Sequence, residues 1–170
     1  MKRTYTVKEW LIEAKNKINN VGKVSPYFGI WLIADIIEFM GKCLSNDNFR
    51  SDDNSRKHFN DAIASLSAFA DYRQYDNLYK KLRCGLTHGM RPGGKFEICK
   101  DGQNSHTPNN ECISFEQLNS DFSKAVDELI HDNNSRTVKR LNMPYVIIND
   151  NNGNPRTGAT IDEQYRSVSK

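Results

Sequence analysis

Between residues 25 and 44 the chain carries Tyr27, Phe28, Ile30, Trp31, Ile33, Ile36, Ile37, Phe39, Met40 and Leu44. Wound as an α-helix, these side chains cover most of the circumference rather than one stripe. A helix of that kind is stable in water only when other elements surround it. Ser25 followed by Pro26 marks its start: a hydroxyl able to accept from a first-turn N–H, then the imino acid favoured at the first helical position. The rest of the chain must supply amphipathic elements to pack around this one.

Such elements are present. Val7, Trp10, Leu11, Ala14, Ile18 and Val21 recur at steps of three and four, with Thr6 as a cap and Gly22 as a stop. Residues 45–55, dense in Asn, Asp and Ser, read as a solvated loop. Phe59, Ile63, Leu66 and Phe69 line one face of a third helix, with Asp71 as a break or cap. Tyr75, Leu78, Tyr79, Leu82 and Leu86 line a fourth, which must end near Gly89 because Pro92, Gly93 and Gly94 follow.

Beyond that point the period changes. Phe96 and Ile98 alternate with Glu97 and Cys99, Asp101 and Gly102 mark a turn, and residues 112–115 return as a second short strand. Ser114 with Gln117 three positions on is a capping-box pattern, and Phe115, Leu118, Phe122, Val126, Leu129 and Ile130 form the face of a fifth helix that stops at residues 132–134. Residues 144–148 suit a strand, with Asn152 and Gly153 as a turn. The expected fold is mainly α: a bundle of about five helices with a small β-hairpin inserted before the last long helix. One domain is expected over residues 1–150 and a polar, mobile tail over 151–170.

Composition removes several classes. At 170 residues and 37% apolar the chain is long enough for one core, and 10% aromatic residues argue against disorder. The most apolar stretch, residues 24–34, is stopped by Asp35 and Glu38 and falls short of the roughly 20 residues a membrane span needs. No small-residue cleavage site follows an apolar run at the start, so a cytoplasmic location is expected. Cys43, Cys84, Cys99 and Cys112 contain no Cys-x-x-Cys pair and are read as reduced thiols. A zinc site of Cys84, His88, Cys99 and Cys112 has spacings unlike common zinc ligand patterns, and no metal is expected. Dinucleotide, phosphate-loop, zincin and nucleophile-elbow motifs are absent.

Charge is unevenly placed. The whole chain is +3, but residues 72–100 hold Arg73, Lys80, Lys81, Arg83, Arg91, Lys95 and Lys100 against Asp76 and Glu97, a local +5 that leaves −2 elsewhere. Such a segment suits an anionic partner, although solvated cations are the commoner reason for one. Within it, at 100° per residue, Arg83 lies about 80° to one side of the inward face and His88 about 140° to the other. Asn77, Lys81, Cys84, His88 and Arg91 form the outward stripe.

Residues 78–90, Leu-Tyr-Lys-Lys-Leu-Arg-Cys-Gly-Leu-Thr-His-Gly-Met, resemble the signature of the HEPN superfamily: an Arg, four to six residues, then a His, near the end of a long helix. The resemblance covers roughly residues 5–135. It implies a small helical protein that acts as a homodimer, with prokaryotic toxin and phage-defence ribonucleases among its relatives and a protein antitoxin as a partner. It implies metal-independent, cofactor-free RNA cleavage by 2′-hydroxyl attack on the adjacent phosphate, with Arg83 and His88 catalytic. Lys80, Lys81, Arg91 and Lys95 would then hold RNA. Gly85 would permit close approach of a neighbouring backbone. Cys84 departs from the pattern, because active members frequently carry Asn, Asp or His after the Arg, and a thiol is a weak hydrogen-bonding substitute. The other reading is a non-catalytic helical module that binds a protein, nucleotide or RNA. Under it His88 complements a helix C-terminus and Arg83 pairs with an acid on a neighbouring helix. His58 and His106 are isolated and His131 falls in the last turn of the fifth helix, and all three read as structural or solvated. Tyr72, Tyr75 and Tyr79 lie in the basic segment, where aromatic rings can stack bases, but their spacing is that of core packing.

Overall fold

A computed structural model of the 170-residue chain describes residues 4–47, 49, 54–85, 96–99, 103–107, 110–146, 148–149 and 155–156. The fold is mainly helical. The order is β1 (Thr4–Thr6), α1 (Val7–Val24), α2 (Pro26–Leu44), α3 (Ser55–Ser65), a 3-10 helix (Ser67–Gln74) and a π-helix (Tyr79–Cys84). There follow β2 (Phe96–Cys99), β3 (Ser105–Thr107), β4 (Asn110–Ser114), α4 (Phe115–Ile130), α5 (Ser135–Leu141) and the short strands β5 (Pro144–Val146), β6 (Ile148–Asn149) and β7 (Pro155–Arg156). No helix among the described residues is long and apolar enough to cross a membrane.

α2 is the centre, as its all-round apolar sequence requires. From Gly29 to Leu44 none of its residues is exposed. Ile30, Ile33, Ala34, Ile37 and Met40 sit in one core with Val7, Leu11 and Ile18 of α1, Phe59 and Ala62 of α3, and Leu118, Phe122, Val126 and Leu129 of α4. The helix starts follow local chemistry. Thr6 accepts from the Glu9 N–H (3.2 Å) while the Glu9 carboxylate accepts from the Thr6 N–H (2.7 Å), so two otherwise orphaned donors are satisfied. Ser25 caps α2 with Pro26 at its first position. Ser114 accepts from the Gln117 N–H at the start of α4 (3.2 Å). The Gln117 side chain turns instead to Asp121 (2.8 Å), so only half of the expected box forms.

Several boundaries differ from the sequence reading. Gly22 does not stop α1. It is a buried helical residue against the Phe115 ring, which would overlap any Cβ placed there. The third helix ends at Ser65, with Leu66 extended, and Asp71 lies inside the 3-10 helix that follows rather than breaking anything. That 3-10 helix is capped from outside: the Glu128 carboxylate of α4 accepts from the N–H of Ser67 (2.8 Å) and Ala68 (3.3 Å). The fourth helix starts only at Leu78, after Asn77 takes a left-handed conformation (φ 53°). Its end, expected near Gly89, lies outside the described residues. α5 was not anticipated.

The expected hairpin is also corrected. β2 and the strand that returns are parallel (Phe96↔Glu111 to Cys99↔Ser114), and the antiparallel partner of β4 is β3 (Ser105↔Cys112, Thr107↔Asn110). β4 is thus the middle of a three-stranded sheet. The alternating pattern marked the strands at 96–99 and 112–115 but not their relative direction, and Ser105–Thr107, between them in sequence, takes the antiparallel edge of β4. The expected reduced state is overturned for two cysteines: Cys99 and Cys112, on adjacent strands with Cα atoms 5.4 Å apart, form a disulfide. Cys43 and Cys84 are free. β5 realises part of the strand expected over 144–148 and pairs antiparallel with β1, closing the chain's start onto its later part. β6 pairs with β7. Within the expected tail, 151–170, only β7 is described, and the Asn152–Gly153 turn lies outside the described residues.

Candidate functional site

Tyr79 to Cys84 form a π-helix, so each turn holds more residues than in an α-helix, and side chains five apart become neighbours. The Gly85 N–H reaches the carbonyl of Lys80, five residues back. This register undoes the 100° reckoning for the segment. Tyr79 and Cys84 share a side-chain hydrogen bond.

Arg83 pairs with acids on a neighbouring helix, as expected under the non-catalytic reading. It turns to α2, where its Nε donates to Glu38 Oε2 (2.9 Å) and lies 3.2 Å from Asp35 Oδ1. Its side chain is 22% exposed. Burial alone would weaken its charge. The facing Asp35 and Glu38 carboxylates outweigh that cost, and its pKa stands above the ordinary arginine value. Asp35 shows the converse balance: burial raises its carboxyl above the usual range, Arg83 pulls it back, and Glu38 pushes it up again. Tyr79 completes the cluster. Its hydroxyl is raised by burial and then by Cys84, with Glu38 adding to the rise and Arg83 opposing it.

The arrangement can hold one guanidinium in a fixed orientation beside a phenol, a thiol and two carboxylates. A guanidinium is a planar multiple donor suited to phosphate or carboxylate oxygens. Asp35 and Glu38 escaped the sequence reading as site residues, where they served only to end an apolar run. The available signal was their spacing: acids three apart on a nearly all-apolar helix share one side and require a cationic neighbour.

Other expected residues scatter. Lys80 is exposed, while Lys81 forms an ion pair with Glu111 of β4. Cys84 and Gly85 are half-buried. His88, Arg91 and Lys95 lie outside the described residues. Tyr72 and Tyr75 are buried and stacked on each other, as their spacing indicated. His58 is buried between α2 and α3, with Nε2 3.3 Å from Asp47 Oδ2, and His131 Nδ1 lies 2.7 Å from the carbonyl of Asp127. Cys99 and Cys112, two members of the four-residue zinc grouping, are bonded to each other, and no cluster of metal-ligating side chains occurs among the described residues. Set against known protein families, curated proteins and solved structures, the chain matches none.

Proposed function

We propose that the chain is a metal-independent endoribonuclease of the HEPN type, working as a homodimer, with Arg83 and His88 as its catalytic pair. The observation that carries the reading is the clamp on Arg83. Its guanidinium is anchored through Nε by Asp35 and Glu38, on the helical segment that precedes His88 in sequence. A preorganised cation costs no reorganisation when charge develops on phosphorus, and donors of this kind are commonly worth a few kcal/mol of barrier. In the reaction the 2′-oxygen bonds to phosphorus and the bond to the 5′-oxygen breaks. One proton leaves the 2′-hydroxyl and one reaches the departing 5′-oxygen, so the products are a cyclic phosphate and a 5′-hydroxyl. An imidazole, with its ordinary pKa near 6.5, suits either proton transfer at neutral pH. Exposed Lys80 would contribute to RNA affinity, together with Arg91 and Lys95. Lys81 would do so only by exchanging Glu111 for phosphate. A prokaryotic defence or toxin role in the cytoplasm, with a protein antitoxin, belongs to the same reading.

A second reading is favoured by the same clamp. Two carboxylates neutralise Arg83, as expected of a helical module whose Arg only ties two helices together and which binds a partner without turnover.

The test is cleavage of a mixed RNA substrate by the purified chain. His88→Ala is expected to lower the rate at least about 100-fold, Arg83→Ala by about 100- to 1,000-fold, both with retained far-ultraviolet circular dichroism, and chelator is expected to leave the rate intact. Unchanged cleavage in His88→Ala removes that residue from the mechanism. No cleavage by the parent chain, none gained by Cys84→Asn, and a lowered melting temperature in Arg83→Ala establish the module instead.

A further inference from the structure

The outer face of α3 and the turn before the π-helix line a cleft of about 310 Å³ that shares Tyr79 with the Arg83 cluster. One wall is a helical stripe, Arg56 and Asn60, four residues apart. Asp76 and Asn77 line it from the turn, and Ile63 and Tyr79 are also in its lining. Arg56 and Asn77 are joined: Arg56 Nη2 donates to Asn77 Oδ1 (3.2 Å), and Asn77 Nδ2 donates to Asp76 Oδ2 (2.9 Å). The lining therefore combines a connected set of donors and acceptors with aromatic and aliphatic side chains. Asn60 adds an exposed carboxamide, a donor and an acceptor on one group.

We infer that this cleft is a nucleobase subsite, taking one unstacked base of an RNA chain whose phosphate lies at Arg83. The volume is at the small end of the range of roughly 300–1,000 Å³ typical of ligand pockets, which suits a single nucleotide rather than an oligomer. Carboxamide and carboxylate side chains match the hydrogen-bonding edges of bases, and single-stranded RNA is recognised by splaying bases onto aromatic rings and guanidinium planes. Tyr79 belongs to both places: it lines the cleft, and its hydroxyl bonds Cys84 beside Arg83. One side chain is thus shared by the cleft and the Arg83 cluster, and it feels the Arg83 charge. The inference rests on the ribonuclease reading for its substrate, but it is tested without cleavage.

The experiment titrates the full chain with each 5′-nucleoside monophosphate and follows amide chemical shifts by NMR. Saturable shifts confined to residues 56–64 and 72–79 for at least one base, weakened ten-fold or more by Asn60→Ala and by Arg56→Gln at unchanged melting temperature, support the subsite. Both substituted residues are exposed, so neither change disturbs the core. Absence of saturable shifts for all four nucleotides at millimolar concentration overturns it, as do shifts indifferent to both substitutions. Cleavage assays separate the two ideas. Nucleotide binding without RNA cleavage keeps the cleft as a nucleotide site and defeats the ribonuclease reading. His88-dependent cleavage whose base preference and KM are untouched by Asn60→Ala, with no mononucleotide binding, defeats the subsite alone.

Discussion

Asp35 stands between opposed influences. Burial disfavours its charge, the Arg83 guanidinium favours it, and the nearby Glu38 disfavours it again, with the pKa settling above the ordinary carboxylate value. The sign of the pH effect follows. Between the unfolded and the raised folded pKa the native state binds more protons, so this group lowers stability as pH rises through that window, and the penalty is fully present above it. Asp35→Asn is therefore expected to stabilise the fold at pH 7 by a gain on the order of tenths of a kcal/mol, since the side chain is 39% exposed and solvent screens it. The gain should vanish below the carboxylate range, as thermal melts of both proteins at pH 3 and pH 7 would show. A parent more stable than the variant at pH 7 would mean that the ion pair with Arg83 outweighs the desolvation. Arg83 itself was legible as a charged residue on the helix flank. Its orientation was not, because the turn count depends on a hydrogen-bond register that becomes π-helical only in the folded chain.

At the scale of elements, helix ends are finished by side chains from far along the chain. Arg140 of α5 is 8% exposed, and its guanidinium donates to the carbonyls of Lys42, Cys43, Ser45 and Asp47 at the end of α2. A cation there satisfies orphaned acceptors and complements the helix dipole. Arg140→Met keeps the stem but strands these carbonyls, and a loss of about 3 kcal/mol is expected by urea unfolding. A loss below about 0.5 kcal/mol would show that water replaces it. The α2–α3 crossing depends on the lack of a side chain at Gly41, where a Cβ would overlap the backbone oxygen of His58. Gly41→Ala should cost about 1–3 kcal/mol by the same measurement, because backbone and not a flexible side chain must give way. Neither contact can be inferred from periodicity: Arg140 sits in a short basic segment with little apolar pattern, and glycine carries no hydropathy signal.

Over the whole molecule, two devices tie distant parts of the chain together. β1 pairs with β5, and the Cys99–Cys112 disulfide joins β2 to β4 ahead of α4. The thiol inventory follows. In denaturant without reductant two thiols should titrate, and after reduction all four cysteines of the chain. In the native state Cys43, fully enclosed and pushed up to about 12 by burial, should resist alkylation, while half-buried Cys84 reacts. Mass spectrometry of the alkylated protein checks both statements; four thiols without reductant would mean the strands hold together by pairing alone.

The covered helix at the centre, the amphipathic helices around it, the caps at Thr6, Ser25 and Ser114 and the helical setting of Arg83 were all legible from residue order, because each depends on neighbours within a turn or two. The parallel pairing of β2 with β4, the π-register at Tyr79, the Asp35–Glu38 clamp on Arg83 and the cleft lined by Ile63 were settled only by tertiary structure. Each joins groups far apart in the chain, and the energy that selects it arises when the helices pack and remove those groups from water.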